Sequence, residues 1–482
     1  MRLEGSQAIA SNALRQLLEA QTLLNTYLYR EADCPSRIRR LVRRTTPFWL
    51  RRFILRGARL IWWTVTLQLS GRLNRRRERL KEERPPGAEQ PGDVQELIGA
   101  RFSLAGAIAT FPAPDGQPAV SLVTEGLRST DLVGAVGTAV ILGSLLAERL
   151  EGRLRLVTRR ERGRVDEVAQ LLVQNGLRAP RDIELAYAPA GSAESIPVGL
   201  SDAFLTTNWR ATRAILPAAA SARVIQLLED DERLRYGIGD DRLRCAETLS
   251  DPRLRLLIDG ELLLKSLNSG PDGLPSLAER AQWFDPAFPE RLFHRDAAAR
   301  HAGERYTLLF TADARGGGPL YWRGLEAISL AIETGLLTRD QWTIVLVGDD
   351  LPPVRLPGGI LPEVAQDLTL AGYAATLRRA DLGLSLAGTP HLSYSSRRLL
   401  ASGAVVVTDG APPSSSSLVP GGNVVSSELD VQSLQMSLAV GVSRVRGDAS
   451  TAAESAHFQL ATDWRTSLEM AVSRCAEWIG LR

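Results

Sequence analysis

The sequence predicts an α/β protein with two open, mostly parallel sheets in tandem, behind a helical, arginine-rich extension. Three observations carry that expectation. From about residue 98, short apolar runs alternate with helical stretches, the signature of strands joined by covering helices. Two prolines in "FDPAFPERLFH" (284–294) interrupt the series as a hinge would, after which it restarts. At 482 residues, 44% of them hydrophobic, the chain is long enough for two or three cores.

The extension comes first. Between Asp33 and Glu78 there are 13 arginines and no acid; with a net charge of +3 for the chain, the remainder carries 3 − 13 = −10. A basic arm on an acidic body argues for a dedicated basic segment and against nucleic acid as a partner of the whole protein. The apolar run 60–69 is shorter than the roughly 20 residues that span a bilayer. Trp62 and Trp63, set between arginine clusters, suit a helix lying in the headgroup plane of an anionic membrane, with residues 36–80 as the contact. The alternative is a helical hairpin packed on the body with both tryptophans in its core. No small-residue cleavage site follows, and "ERPPGAEQPGD" (83–93) reads as the linker that ends the arm.

In the first half, "AVSLVTEGL" (119–127) reads as a strand and loop, and 131–152 as a helix with small residues Gly134 and Gly137 near its start. "RLRLVTRR" (153–160), a helix over 165–177, "IELAYAP" (183–189), "DAFLTTNW" (202–209), "ARVIQLLED" (222–230) and "LRLLIDG" (254–260) continue the series. The second half repeats it: "YTLLFTA" (306–312), the loop "DARGGGP" (313–319), a helix over 320–337 and "WTIVLVG" (342–348). A helix over 370–380, "DLGLSL" (381–386), "TPHLSYSSRRLLASGAVVVTD" (389–409) and a final helix over 459–479 complete it. The expected division is 1–97, helical extension and linker; 98–285, first Rossmann-like domain; and 286–482, second Rossmann-like domain.

Ligands of such sheets bind beyond the carboxyl ends of the strands. Two stretches there offer chemistry. Gly317 and Gly318 follow the first strand of the second half and permit close backbone approach. The helix starting near Ser395 offers free N–H groups beside Ser393, Tyr394, Ser395 and Ser396, with Arg397 and Arg398 one turn on. Together they suit a diphosphate. Each has an ordinary alternative, a plain loop and a plain serine cap. Glu229, at a strand end, is a candidate polar group for the cleft, and a salt bridge with a neighbouring arginine is its ordinary reading.

Three dispersed cysteines and four dispersed histidines have no metal-ligand spacing, and Asp349–Asp350 reads as loop residues rather than a metal pair. There is no Walker sequence, no nucleophile elbow and no clean Gly-x-Gly-x-x-Gly after the first strand, which disfavours a nucleotide-dependent oxidoreductase.

Over about 118–480 the ordered set of elements resembles the GT-B glycosyltransferases of family 4, and more narrowly the bacterial WsaF-type rhamnosyltransferases. The matching residues are "GAVGTA" (134–139), "DAFLTTNW", Gln226 with Glu229, "AET" (246–248), "LLFTADARGGGPLYWRGLEA" and "GYAATLRRADLGLSL…PHLSYSS". The resemblance implies a GT-B fold, two Rossmann-like domains facing a cleft, and metal-independent, retaining transfer of a sugar with no cofactor beyond the nucleotide-sugar donor. L-rhamnose from a dTDP-sugar, moved to a surface glycan or lipid-linked acceptor at the inner membrane face, is the expected reaction in a cytoplasmic, peripheral bacterial enzyme. A homodimer is left open.

The donor would meet Gly317, Gly318, Ser393, Tyr394, Ser395 and Arg398. Gly134 and Gly137 would admit a substrate at the first domain, with Glu229 and Arg398 as the catalytic pair. The sequence departs from the family where its helix glutamate falls at Arg398, and where its loop arginine and Arg-Asn pair fall at Asp313, Gly318 and Pro319; Arg315 or Arg323 would substitute after a register shift. These departures favour, as the alternative, a degenerate glycosyltransferase fold kept as a scaffold or binding subunit.

Overall fold

The computed structural model describes residues 93–480 except 114–115, 181, 193, 220–222, 270–271, 297–303, 313–319, 411–421 and 448–459. The chain divides into two compact units, Met1–Asp93 and Val94–Arg482. The basic arm therefore lies outside the described residues, as do Gly317, Gly318 and the rest of the 313–319 loop.

The second unit opens with α1 (Val94–Arg101) and β1 (Ala109–Pro112), then β2 (Ala119–Thr124), α2 (Ala135–Arg149), β3 (Arg153–Thr158), α3 (Val165–Gln174) and β4 (Ile183–Tyr187). It continues through β5 (Ser195–Val198), β6 (Ala203–Thr206), α4 (Trp209–Ile215), β7 (Val224–Leu228), α5 (Asp240–Leu249), β8 (Leu254–Asp259), α6 (Glu261–Leu267), α7 (Leu277–Arg280) and β9 (Ala281–Phe284). Seven of these strands form a parallel sheet in the order β4-β3-β2-β6-β7-β8-β9, and β1 pairs separately with β5. Central strands β2, β6 and β7 are buried along their whole length, which is why they read as unbroken apolar runs rather than as alternations.

The second sheet is built from β10 (Tyr306–Thr311), α8 (Tyr321–Glu333), β11 (Trp342–Val347), β12 (Glu363–Ala365), α9 (Leu370–Arg378), β13 (Leu382–Ser385) and α10 (Tyr394–Ala401). β14 (Val405–Thr408), β15 (Val424–Ser426), α11 (Val431–Arg446) and α12 (Trp464–Ile479) follow. Its order is β12-β11-β10-β13-β14-β15, parallel throughout. Both sheets reverse strand order beside their first strand, between β2 and β6 and between β10 and β13. That puts a ligand-binding crevice at each switch point.

The apolar residues of the hinge stretch are buried. Phe288 and Phe293 sit in the core, and the Phe288 N–H donates to the Ala461 carbonyl at 2.6 Å where the chain crosses back. After that crossing, α12 lies against α2 and β9 of the first sheet. Trp464 Nε1 donates to Asn175 Oδ1 at 2.9 Å, and Arg465 makes a bidentate pair with Glu148. α2 accepts this second cover because it is apolar nearly all round, with eleven buried residues between Gly137 and Ala147. One apolar cluster consequently joins Leu122 and Leu142 of the first sheet layer to Leu309, Val406, Tyr373 and Trp464.

Candidate functional site

The carboxyl ends of the two sheets supply the site. From the first come Thr138 at the start of α2, Glu229 just past β7 and Asp259 closing β8; from the second comes the first turn of α10. Ser393 caps α10, its Oγ accepting from the Ser396 N–H at 3.2 Å. Ser393 and Ser396 also join a hydroxyl chain that runs from Ser385 to Thr408, with spacings of 3.0–3.2 Å. Those two hydroxyls are thus committed within the fold, whereas Ser395 stays partly exposed on the helix's first turn. The sequence reading starts α10 near Ser395; the serine cap sets it at Tyr394, and Gly403 (φ 83°) ends it.

Tyr394 is buried, and its hydroxyl lies 3.0 Å from Thr138 Oγ1, which donates to Glu229 Oε1 at 3.0 Å. This Tyr–Thr–Glu chain crosses from one sheet to the other. Burial, reinforced by the charge of Asp259, pushes the Glu229 carboxyl up to about 7, against the opposing pull of Arg398 and Thr138. Burial also raises the Tyr394 phenol, so it stays protonated at any physiological pH.

Next to Tyr394, the two arginines have different surroundings. Arg397 reaches across and pairs with Asp259, whose side chain is 0% exposed. Burial disfavours the Asp259 carboxylate, yet Arg397 and then His391 hold it below the ordinary range. His391 is buried with its Nε2 3.9 Å from Asp259 Oδ2, and neither ring nitrogen has a hydrogen-bond partner. Arg398 is only 8% exposed, and among the described residues no carboxylate lies within ion-pair distance of it. Three rings surround its guanidinium instead: Tyr394 at 4.6 Å, Tyr373 at 5.5 Å and Phe293 at 5.8 Å. It borders a small cavity with Thr138, Gly137, Asn175, Tyr394 and Trp464, drawn from both sheet layers.

Of the residues singled out from sequence, Glu229, Tyr394, Arg398 and Gly137 converge here. Gly134 caps α2 in open space, its nearest would-be Cβ contact 4.0 Å away. A Cβ on Gly137 would lie 2.1 Å from the Leu132 carbonyl oxygen, so the turn before α2 demands this glycine whether or not a ligand binds. Gln226 accepts from Thr212 and donates to the buried Glu232, which also receives the Trp209 N–H, so it serves a network within the first sheet's own layer. Glu229 has no arginine within ion-pair range among the described residues.

Thr138, Asp259 and His391 are site residues that sequence reasoning passed over. Asp259 had a usable signal, a lone acid closing an apolar strand ahead of a glycine, and Thr138 and His391 both lay inside motifs already quoted. No group of three or more metal-ligating side chains occurs among the described residues.

Residues 319–439 match the family model described as "WsaF, C-terminal domain". No curated protein matches the chain. Among solved structures, sucrose-phosphate synthase from Thermosynechococcus elongatus superposes with a TM-score of 0.51 at 12% identity, covering 76% of this chain and 100% of that one. WaaG, a glycosyltransferase involved in lipopolysaccharide biosynthesis, gives a TM-score of 0.48 at 14% identity, over 74% of this chain and 99% of that one. The chain has the GT-B fold, two Rossmann-like sheets meeting at a cleft, and residues 319–439 of its second half are similar to the WsaF C-terminal domain.

Proposed function

We propose that this protein is a metal-independent, retaining glycosyltransferase using a nucleotide-diphosphate sugar, with L-rhamnose on dTDP as the donor and a bacterial surface glycan or lipid-linked sugar as the acceptor. The observation that carries the reading is Arg398: a guanidinium 8% exposed, without a carboxylate partner among the described residues, one turn into a helix whose start faces the cleft. Arginine stays charged at any working pH, and a buried charge needs a counter-charge. A donor diphosphate supplies it, with the first-turn N–H groups of α10 as further donors.

In the transfer, the bond from the anomeric carbon to the β-phosphate oxygen breaks and its electron pair leaves with the diphosphate. Arg398 and the helix start stabilise that growing charge, the kind of electrostatic contribution that dominates such catalysis. The acceptor hydroxyl oxygen bonds to the anomeric carbon on the same face that the diphosphate vacates, which retains the configuration, and its proton passes to Glu229, whose carboxyl at about 7 is poised to take it. Thr138 fixes the Glu229 carboxyl, and the Arg397–Asp259 pair fixes the face of α10 that carries Arg398. Residues 36–80 would hold the enzyme at the inner membrane face, where lipid-linked acceptors lie.

Calorimetric titration with dTDP, UDP and GDP tests the reading. One nucleotide should bind with micromolar affinity, and Arg398→Ala should weaken it roughly 10- to 100-fold, the value of about 1.5–3 kcal/mol for hydrogen bonds to a charged group. If none of the three binds, the fold serves as a scaffold.

A further inference from the structure

At the opposite end of the first sheet, away from the cleft, a second group of arginines includes buried N–H groups without partners among the described residues. Leu256 of β8 and Ala281 of β9 are paired in register, so Arg255 of β8 and Arg280, which ends α7 immediately before β9, stand next to each other. Arg255 has the parity of Leu257, which belongs to the cluster on the α12 side of the sheet. Arg474 of α12 lies near enough for its charge to act on Arg255, and Arg255 acts likewise on Arg280.

The counter-charges present are committed elsewhere or inadequate. Asp251 is held by a two-point contact with Arg253, Glu477 pairs with Arg474 at 2.7 Å, and Glu279 acts on Arg255 without forming an ion pair with it. Arg280 is 2% exposed; its Nε donates to the Pro275 carbonyl at 2.8 Å, while Nη1 and Nη2 are buried without a hydrogen-bond partner. Arg255 donates through Nη1 to the Pro252 carbonyl at 3.2 Å, and its Nε is likewise buried and unpartnered. Neither forms an ion pair within the described residues. A guanidinium cannot shed its charge at working pH, and leaving its N–H groups unmet in the interior is costly. Water would satisfy the hydrogen bonds but not the positive charges of Arg280 and Arg255, which have no ion pair among the described residues; a tetrahedral oxyanion satisfies both.

We propose that Arg280, Arg255 and Arg474 form an oxyanion site, for a phosphate group, beneath α12 at the base of the first sheet. The phosphate would brace α12, the helix that ties the end of the chain to the first sheet, independently of any donor bound in the cleft.

The test is thermal unfolding of the full chain with inorganic phosphate against sodium chloride at matched ionic strength. A saturable rise in Tm is expected in the parent protein and in Arg398→Ala. Apparent affinity should fall at least tenfold in Arg280→Met. Should Arg280→Met not fold, the less buried Arg255→Met gives the same readout with a loss of about threefold or more. Flotation with phosphatidate vesicles separates the sources: co-flotation lost in the Arg280 or Arg255 variant assigns a lipid headgroup, and its absence alongside the phosphate effect assigns a free ion. A phosphate effect no larger than that of chloride, one unchanged in both base-of-sheet variants, or one lost only in Arg398→Ala overturns the proposal.

Discussion

Replacing Asp259 by alanine tests how the two sheets are held in register. The Asp259 side chain is fully buried and Arg397 nearly so, and they pair across the sheet junction. The variant leaves Arg397 charged in a site walled by Phe288 and Tyr394, with His391 and Asp285 also close. Removing one member of a buried pair costs about 3–5 kcal/mol, chiefly because the other charge loses its compensation. At about 2 °C per kcal/mol for a chain of this size, Tm should fall by roughly 6–10 °C. Asp259→Leu combined with Arg397→Met removes both charges and should recover most of the loss, since the pair's net contribution is small once desolvation is counted. The pH dependence has a definite sign. Because the folded Asp259 sits below its ordinary pKa, its contribution is complete above about pH 4 and disappears only as pH falls through the lower folded value. Differential scanning fluorimetry at pH 7 and urea unfolding between pH 3 and 8 would measure both effects. A single-variant loss under about 1 kcal/mol, or a double variant as unstable as the sum of the singles, would refute the reasoning.

Three further outcomes are expected. Glu229 has its carboxyl raised to about 7 from an unfolded value of 4.5, so it costs stability increasingly as pH rises from 4.5 through 7; Glu229→Gln should therefore be more stable than the parent at pH 8 and indistinguishable near pH 4 by urea titration. If Glu229 receives the acceptor's proton, kcat/KM should rise through an apparent pKa near 7, and that limb should vanish in the glutamine variant. Gly137→Ala should lower Tm markedly, because its Cβ would clash with the Leu132 carbonyl, whereas Gly134→Ala should fold normally; equal stability of the two would contradict the structure. Ser393→Ala removes the α10 cap and a hydroxyl shared with Ser385 and Ser396, and should cost about 1 kcal/mol in the same assay.

The architecture was legible in the sequence because parallel strands buried on both faces must be continuously apolar and must alternate with covering helices. "AVSLVT", "LRLLID" and "VVVT" announce themselves whatever they pack against. The serine cap of α10 was readable for the same reason: a cap acts within four residues. Arg398 could be singled out as a site residue, though its setting among aromatic rings depends on residues 373 and 293, far off in sequence. The return of α12 to the first sheet was not legible, since an apolar helical stripe does not say which partner it covers. Gly137 looked like a place for a ligand, yet its need arises five residues away at the Leu132 carbonyl. The Arg397–Asp259 pair spans 138 residues and the Tyr394–Thr138 contact 256. Sequence patterns report periodicity and local capping, which act over a turn or two; charges and hydroxyls that meet across a cleft are chosen by the folded chain alone.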